Sequence, residues 1–216
     1  IRDSMYSASS TFFEASIWVH VVATVDGTTM KLYKNGTLTD TETDGQEPAS
    51  LTRAQHWIGR SAWSSDSYFD GTIAYLRFWD GVALDADQIK QLHDDAITSN
   101  PNHAFDFRGC GDSSSTADSG VDGAGITATA VNGAACSSAG MVFDGVNDYL
   151  HVDPWEFGGE PMTVEAYVKY GAFNSWSRIF EFGDGQSDDN VFLAYSGTTG
   201  KPSFGVLIGS SQKRLD

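Results

Sequence analysis

"FDGVNDYLHVD", residues 143–153, reads as the end of one strand, a turn and the start of another: Phe143 leads into Asp144-Gly145, and "DYLHVD" then alternates apolar and polar residues. The same signature returns at "FDGTIAYLRFW", residues 69–79. Working outward, "WVHVVATVDG" (18–27) puts Val19, Val21, Ala23 and Val25 on one face. After an Asp26-Gly27 turn, "TTMKLYKNG" (28–36) continues the pattern with Met30, Leu32 and Lys34, which predicts a hairpin. Further strands are predicted in 56–61, 71–81, 140–145, 148–153, 162–170, 177–185, 190–197 and 203–211, at least ten in all. One helix is expected, Leu84–Ala96, where Asp85 and Gln88 have capping-box spacing and Ala86, Ile89, Leu92 and His93 share a stripe. "ITSNPNHA" (97–104) stops it with Asn-Pro and reads as a linker. The expected class is all-β, an antiparallel two-sheet sandwich with one short helix.

Composition agrees. Hydrophobic residues are 40% of the 216 and charged residues only 19%, which suits strands joined by polar turns. With 13 basic against 29 acidic residues the net charge is −16, so nucleic acid and anionic membranes are repelled. The acidity can mean no more than solubility; divalent cations, calcium above all, are the sharper reading where carboxylates cluster. No run of 18 apolar residues is present, so no membrane insertion is expected. The chain opens on Ile1 without a signal-like run, and a mature piece or fragment is expected.

Cys110 and Cys136 flank 25 mostly small residues. A disulfide closing this loop is expected, two free buried thiols being the alternative, and a bridge implies an oxidising, extracellular or cell-surface setting. Cys and His spacings for zinc are absent. Asn35-Gly36-Thr37 is both a hairpin turn and a sequon, so Asn35 is a candidate glycosylation site.

"IWVHVVATVDGTTMKLYKNGTL" and "HWIGRSAWSSDSYFDGTIAYLRFWDGVALDADQIKQL" resemble the C-terminal half of a laminin G-like, concanavalin A-like jelly roll of the kind shared with pentraxins. "MVFDGVNDYLHVD", "EPMTVEAYVKY" and "IFEFGDG" resemble the N-terminal half of the same family. The resemblance implies a jelly roll with its halves in reversed order: residues 1–98 are the C-terminal half, 99–102 a linker and 103–216 the N-terminal half. Circular permutation, one period of a tandem array, and exchange between chains each produce this order. The tandem repeat is the expectation, with neighbouring copies as partners.

Glycoside hydrolases on this fold use paired carboxylates, but their Glu-x-Asp-x-x-Glu strand is absent, and Glu165 and Glu181 are expected to face solvent or pair with Lys169 and Arg178. No nucleophile elbow appears, and His20 reads as a strand-face histidine. No enzymatic activity is expected. Resemblance to pentraxins makes Asp189 and Asn190 candidate calcium ligands, with Asp66 as a substitute where the family's acidic run is missing; a hairpin turn is the alternative for the pair. Asp144 and Asp70, in the paired "FDG" stretches, are candidates for a structural calcium or for turn capping. For sugars the feature is "RSAWSSDSY" (60–68), whose Trp63, Tyr68 and Arg60 are expected to converge with Asp189 on a neutral glycan, unless Trp63 covers the sandwich end or sits at a contact between domains. Acidic glycans are disfavoured by the charge. The function expected is a non-catalytic extracellular repeat unit of a structural or adhesive surface or filament protein, with a lectin-like, carbohydrate-binding module, with or without calcium, as the alternative.

Overall fold

A computed structural model describes residues 11–94, 100–111, 114–197, 199–209 and 211–215. From the first half come β1 (Trp18–Asp26), β2 (Thr29–Lys34), β3 (Thr37–Glu42), β4 (Leu51–Thr52), β5 (Gln55–Ile58), β6 (Asp70–Asp80) and α1 (Ala86–His93). The second half begins with β7 (His103–Asp106), β8 (Ser115–Ala117), β9 (Thr127–Val131), β10 (Ala135–Ser137), β11 (Gly140–Asp144) and β12 (Tyr149–Val152). It ends with β13 (Glu156–Phe157), β14 (Met162–Ala172), β15 (Arg178–Gly183), β16 (Val191–Tyr195), β17 (Pro202–Ile208) and β18 (Ser211–Leu215). Part of the predicted linker, and the last two residues of the predicted helix, lie outside the described residues. No described helix is long and apolar enough to cross a membrane.

Two eight-stranded sheets carry the fold, and the strand pairs described within them are antiparallel. The first runs β10-β11-β6-β14-β1-β2-β3, with β7 also on β6; the second runs β18-β17-β16-β15-β5-β12-β9-β8. β11 takes β6 along Asp70–Ile73 and β7 takes it along Tyr75–Phe78. The two "FDG" stretches therefore meet, Phe143 opposite Gly71 and Asp144 opposite Asp70.

Strands of the two halves interleave. β14 lies between β6 and β1, and β5 between β15 and β12. Alternation sets what each strand buries: Val19, Val21, Ala23 and Val25 of β1 share one core with Val164, Ala166 and Val168 of β14, Phe180 and Phe182 of β15 and Ile58 of β5. Helix α1 packs on the outside of the first sheet, where Ile89, Leu92 and Leu84 meet Val22, Tyr33 and Trp79. The expected capping box is present, Asp85 accepting from the Gln88 amide and Gln88 from that of Asp85. The Asn35-Gly36 turn has positive φ at both residues, +49° and +74°, as a type I′ hairpin requires.

Cys110 and Cys136 are bridged, with Cα atoms 5.9 Å apart, and both pack against the main core. Replacing both by serine is expected to lower the unfolding free energy by about 3 kcal/mol, chiefly by freeing the intervening loop in the unfolded chain. Urea unfolding of the double variant against the oxidised wild type measures it.

Candidate functional site

The outer face of the second sheet carries Arg60, with Tyr68 beside it, two of the residues singled out in the sequence. Because Ile58 and His56 point inward, Trp57 must point out, and register sets it beside His151 on β12 and Glu181 on β15. Gly59 ends β5 with φ +86°, and a Cβ there would lie 2.9 Å from the Phe143 ring, so glycine alone fits this turn. The chain thus delivers Arg60 onto the outer face. Its guanidinium carbon is 4.0 Å from the Trp57 ring centroid and 4.6 Å from that of Tyr149. Those rings are inclined at 71° with centroids 6.3 Å apart, so Arg60 sits in the corner between them. Tyr68 completes the group, 6.4 Å from Tyr149. All four side chains are partly exposed.

Trp63 is elsewhere. Its ring, partly buried, lies 6.3 Å from Phe192 and 5.3 Å from the Arg178 guanidinium. Beneath it Arg178 donates from Nε to Glu181 (2.8 Å), from one terminal nitrogen to Asp66 (3.0 Å), and from the other to the Trp176 carbonyl (2.8 Å). Ser61 Oγ lies 2.8 Å from Asp66 and 3.2 Å from Glu181, and accepts from the Trp63 amide. Burial pushes the Glu181 carboxyl up, against the opposing pull of Arg178 and Asn190. These bonds stitch the 60–68 loop onto the sheet. Trp63 consequently lies on the sheet beside Phe192 and Arg178, and among the described residues it makes no ring contact with Arg60, Tyr68 or Tyr149.

Asp189 and Asn190 are also held by the chain itself. Asp189 has φ +51°, and its carboxylate accepts from the Gly209 amide while its carbonyl accepts from Arg53 Nε at 2.5 Å. Asn190 is fully buried, donating to Glu181 and accepting from the Asp188 amide. The contacts Asp189 makes are with Arg53 and Gly209, and among the described residues it has none with Arg60, Trp63 or Tyr68. Asp144 caps a turn, its carboxyl held low first by the Val146 amide, then by that of Asn147. Asp66 and Asn190 meet in one network through Arg178 and Glu181, the Asp70-Asp144 pair lies apart on the first sheet, and among the described residues no group of three or more His, Cys, Asp or Glu is arranged to hold a metal.

Glu165 is buried rather than solvent-facing. It pairs with Arg77 (3.2 Å), His20 (2.8 Å) and the Tyr75 hydroxyl (3.2 Å), while Lys169 lies over the Trp18 ring instead. The correction follows from register, which sets Glu165 opposite Arg77. Glu181 pairs with Arg178 as expected. Because Val164 and Ala166 on β14, and Phe180 and Phe182 on β15, face the shared core, Glu165 and Glu181 point out of opposite sides of the sandwich and cannot flank one bond. Asn35, the sequon residue, is exposed, and its side-chain oxygen accepts from the His20 amide.

Sequence reasoning missed Arg53, Trp57 and Tyr149. Trp57 and Tyr149 sit on strands whose alternation marks them as outward, a signal available from residue order. Arg53 lies between two short strands and carries no periodic signal.

Residues 3–90 match the family model Laminin_G_3, concanavalin A-like lectin/glucanases superfamily. No match was found among curated proteins or among solved structures.

Proposed function

We propose that the chain is a non-catalytic extracellular module, laminin G-like in its fold, that acts as the repeat unit of a structural or adhesive surface or filament protein. The observation that supports this is the interleaving of the halves. With β14 seated between β6 and β1, and β5 between β15 and β12, either half alone has open strand edges and an incomplete core. Such a half closes equally well on its counterpart in the same copy or in a neighbouring one, because the pairing surfaces are the same. That property makes an array out of a domain. The bridge between Cys110 and Cys136 suits an oxidising setting. Glu165 and Glu181 leave the sandwich by opposite faces, which supports a non-catalytic role.

A purified two-copy tandem chain, cut within its linkers, tests the reading. Light scattering is expected to show a ladder of species larger than a single sandwich, as halves close across copies. If cutting leaves only sandwiches closed within one copy, with none joining residues 103–216 of one copy to residues 1–98 of the next, the repeat reading fails. A second reading, carbohydrate binding, is favoured by the partly exposed aromatic group of Trp57, Tyr68 and Tyr149. Glycan binding lost in Tyr68→Ala, with the ladder intact, would put it first.

A further inference from the structure

Arg60 differs from Arg53, Arg77, Arg108 and Arg178 in what its N–H groups meet. Arg53 donates to backbone carbonyls, Arg77 to Glu165, Arg108 to Asp106, and Arg178 to Asp66 and Glu181. Arg60 is held by ring faces alone, those of Trp57 and Tyr149, and among the described residues no oxygen accepts from it. Its planar fork of donors is partly exposed and already oriented. A group so placed loses little side-chain freedom on meeting a ligand, and the geometry of the fork suits a carboxylate.

We infer that Arg60 is the docking point for a carboxylate side chain from a second copy of this chain, which makes it the anchor of a copy-to-copy contact. The proposal rests on the repeat-unit reading and names the surface through which formed modules would touch. Three observations carry it. Tryptophan, tyrosine and arginine, the residue types that dominate the energetics of protein–protein contacts, are gathered at one exposed spot. The rings around Arg60 would exclude water from an ion pair formed there, which strengthens it. And the chain presents exposed carboxylates such as Asp26, Asp87 and Glu160, so a second copy offers the complementary group at a local contact; the net charge of −16 makes two copies repel at long range, so association is expected to strengthen as salt screens that repulsion. The patch on one copy and the carboxylate on the next are different surfaces, so the contact is head to tail and can propagate.

The experiment is sedimentation velocity of the uncut chain at fixed ionic strength, comparing wild type, Arg60→Gln and Arg60→Lys, with urea midpoints confirming that all three are folded. Wild type is expected to self-associate, with Arg60→Gln weakening association by about tenfold or more and Arg60→Lys recovering only part of it, since an ammonium lacks the planar fork. Equal association of wild type and Arg60→Gln overturns the assignment, and does so without touching the repeat-unit reading, which the cut tandem chain tests separately. A wild type that stays monomeric also overturns it. So does saturable binding of glucuronate that needs Arg60 while association is unaffected, which would hand the site to an acidic sugar.

Discussion

Replacing Arg53 by methionine is expected to destabilise the chain by about 3–5 kcal/mol, a large share of the stability of an ordinary domain. Arg53 is fully buried, and its guanidinium lies 4.1 Å from the Phe157 ring centroid. Its N–H groups donate to the carbonyls of Asp189 (2.5 Å), Ala49 (2.9 Å), Phe157 (3.2 Å) and Leu51 (3.3 Å). Burial lowers its pKa to about 10, with Asp189, Asp184 and Asp80 opposing that shift, so the group stays charged at neutral pH. A methionine fills much of the volume but strands four carbonyl oxygens from three separate segments, each orphaned acceptor costing about 1–3 kcal/mol before any relaxation. Arg53→Lys should fall between, because an ammonium has fewer donors and no plane to lay on Phe157. Urea denaturation, with the slope checked for constancy, reads the effect; a loss under about 1 kcal/mol would mean that the carbonyls find other donors and that Arg53 does not staple these segments together.

Acid should weaken the fold in a range where carboxylates are still ionised. His56 is fully buried, stacked 4.4 Å from Phe182 and edge-on 4.5 Å from Trp155, and among the described residues neither ring nitrogen has a hydrogen-bond partner. Burial, with Arg53, His103 and His151 adding to it, lowers its pKa to about 3 from an ordinary 6.5. Below pH 6.5 the unfolded chain takes up a proton here and the folded chain does not. Stability from this group is therefore complete above pH 6.5 and is lost as pH falls from 6.5 towards 3. At about pH 4.5 the loss should be about 2.5 kcal/mol. His56→Phe removes the titrating group while keeping a ring between Phe182 and Trp155, so its stability should fall much less between about pH 6.5 and 4.5. Parallel urea titrations at those two pH values decide the point, and equal losses in the two proteins would exclude His56 as the cause.

Much of the architecture was legible because it is local. Strand alternation, the Asn35-Gly36 turn and the Asp85/Gln88 cap each depend on residues a few positions apart, and each stands where residue order places it. Strand ends shifted by a residue or more where pairing stopped: β5 closes at Ile58 because Gly59 turns the chain. The short strands β7 to β10 and β13 carry no periodic signal of their own, and exist because other strands offer them an edge.

The candidate site was legible only in part. Arg60 and Tyr68 do share a place, but through Tyr149, which lies 89 and 81 residues beyond them and enters from a different half. Trp63 left the group because Arg178, 112 residues beyond Asp66, draws the loop down onto the sheet. Arg53 claims the Asp189 carbonyl across 136 residues. Residue order determined the class of fold, the turns, the cap and which face of each strand is apolar, since these follow from periodicity and backbone preference within a few residues. Which arginine meets which oxygen, and that Arg60 meets none among the described residues, was decided only when β5 was laid between β15 and β12, because side-chain partners across a sheet are set by register between distant strands and leave no trace in the neighbouring sequence.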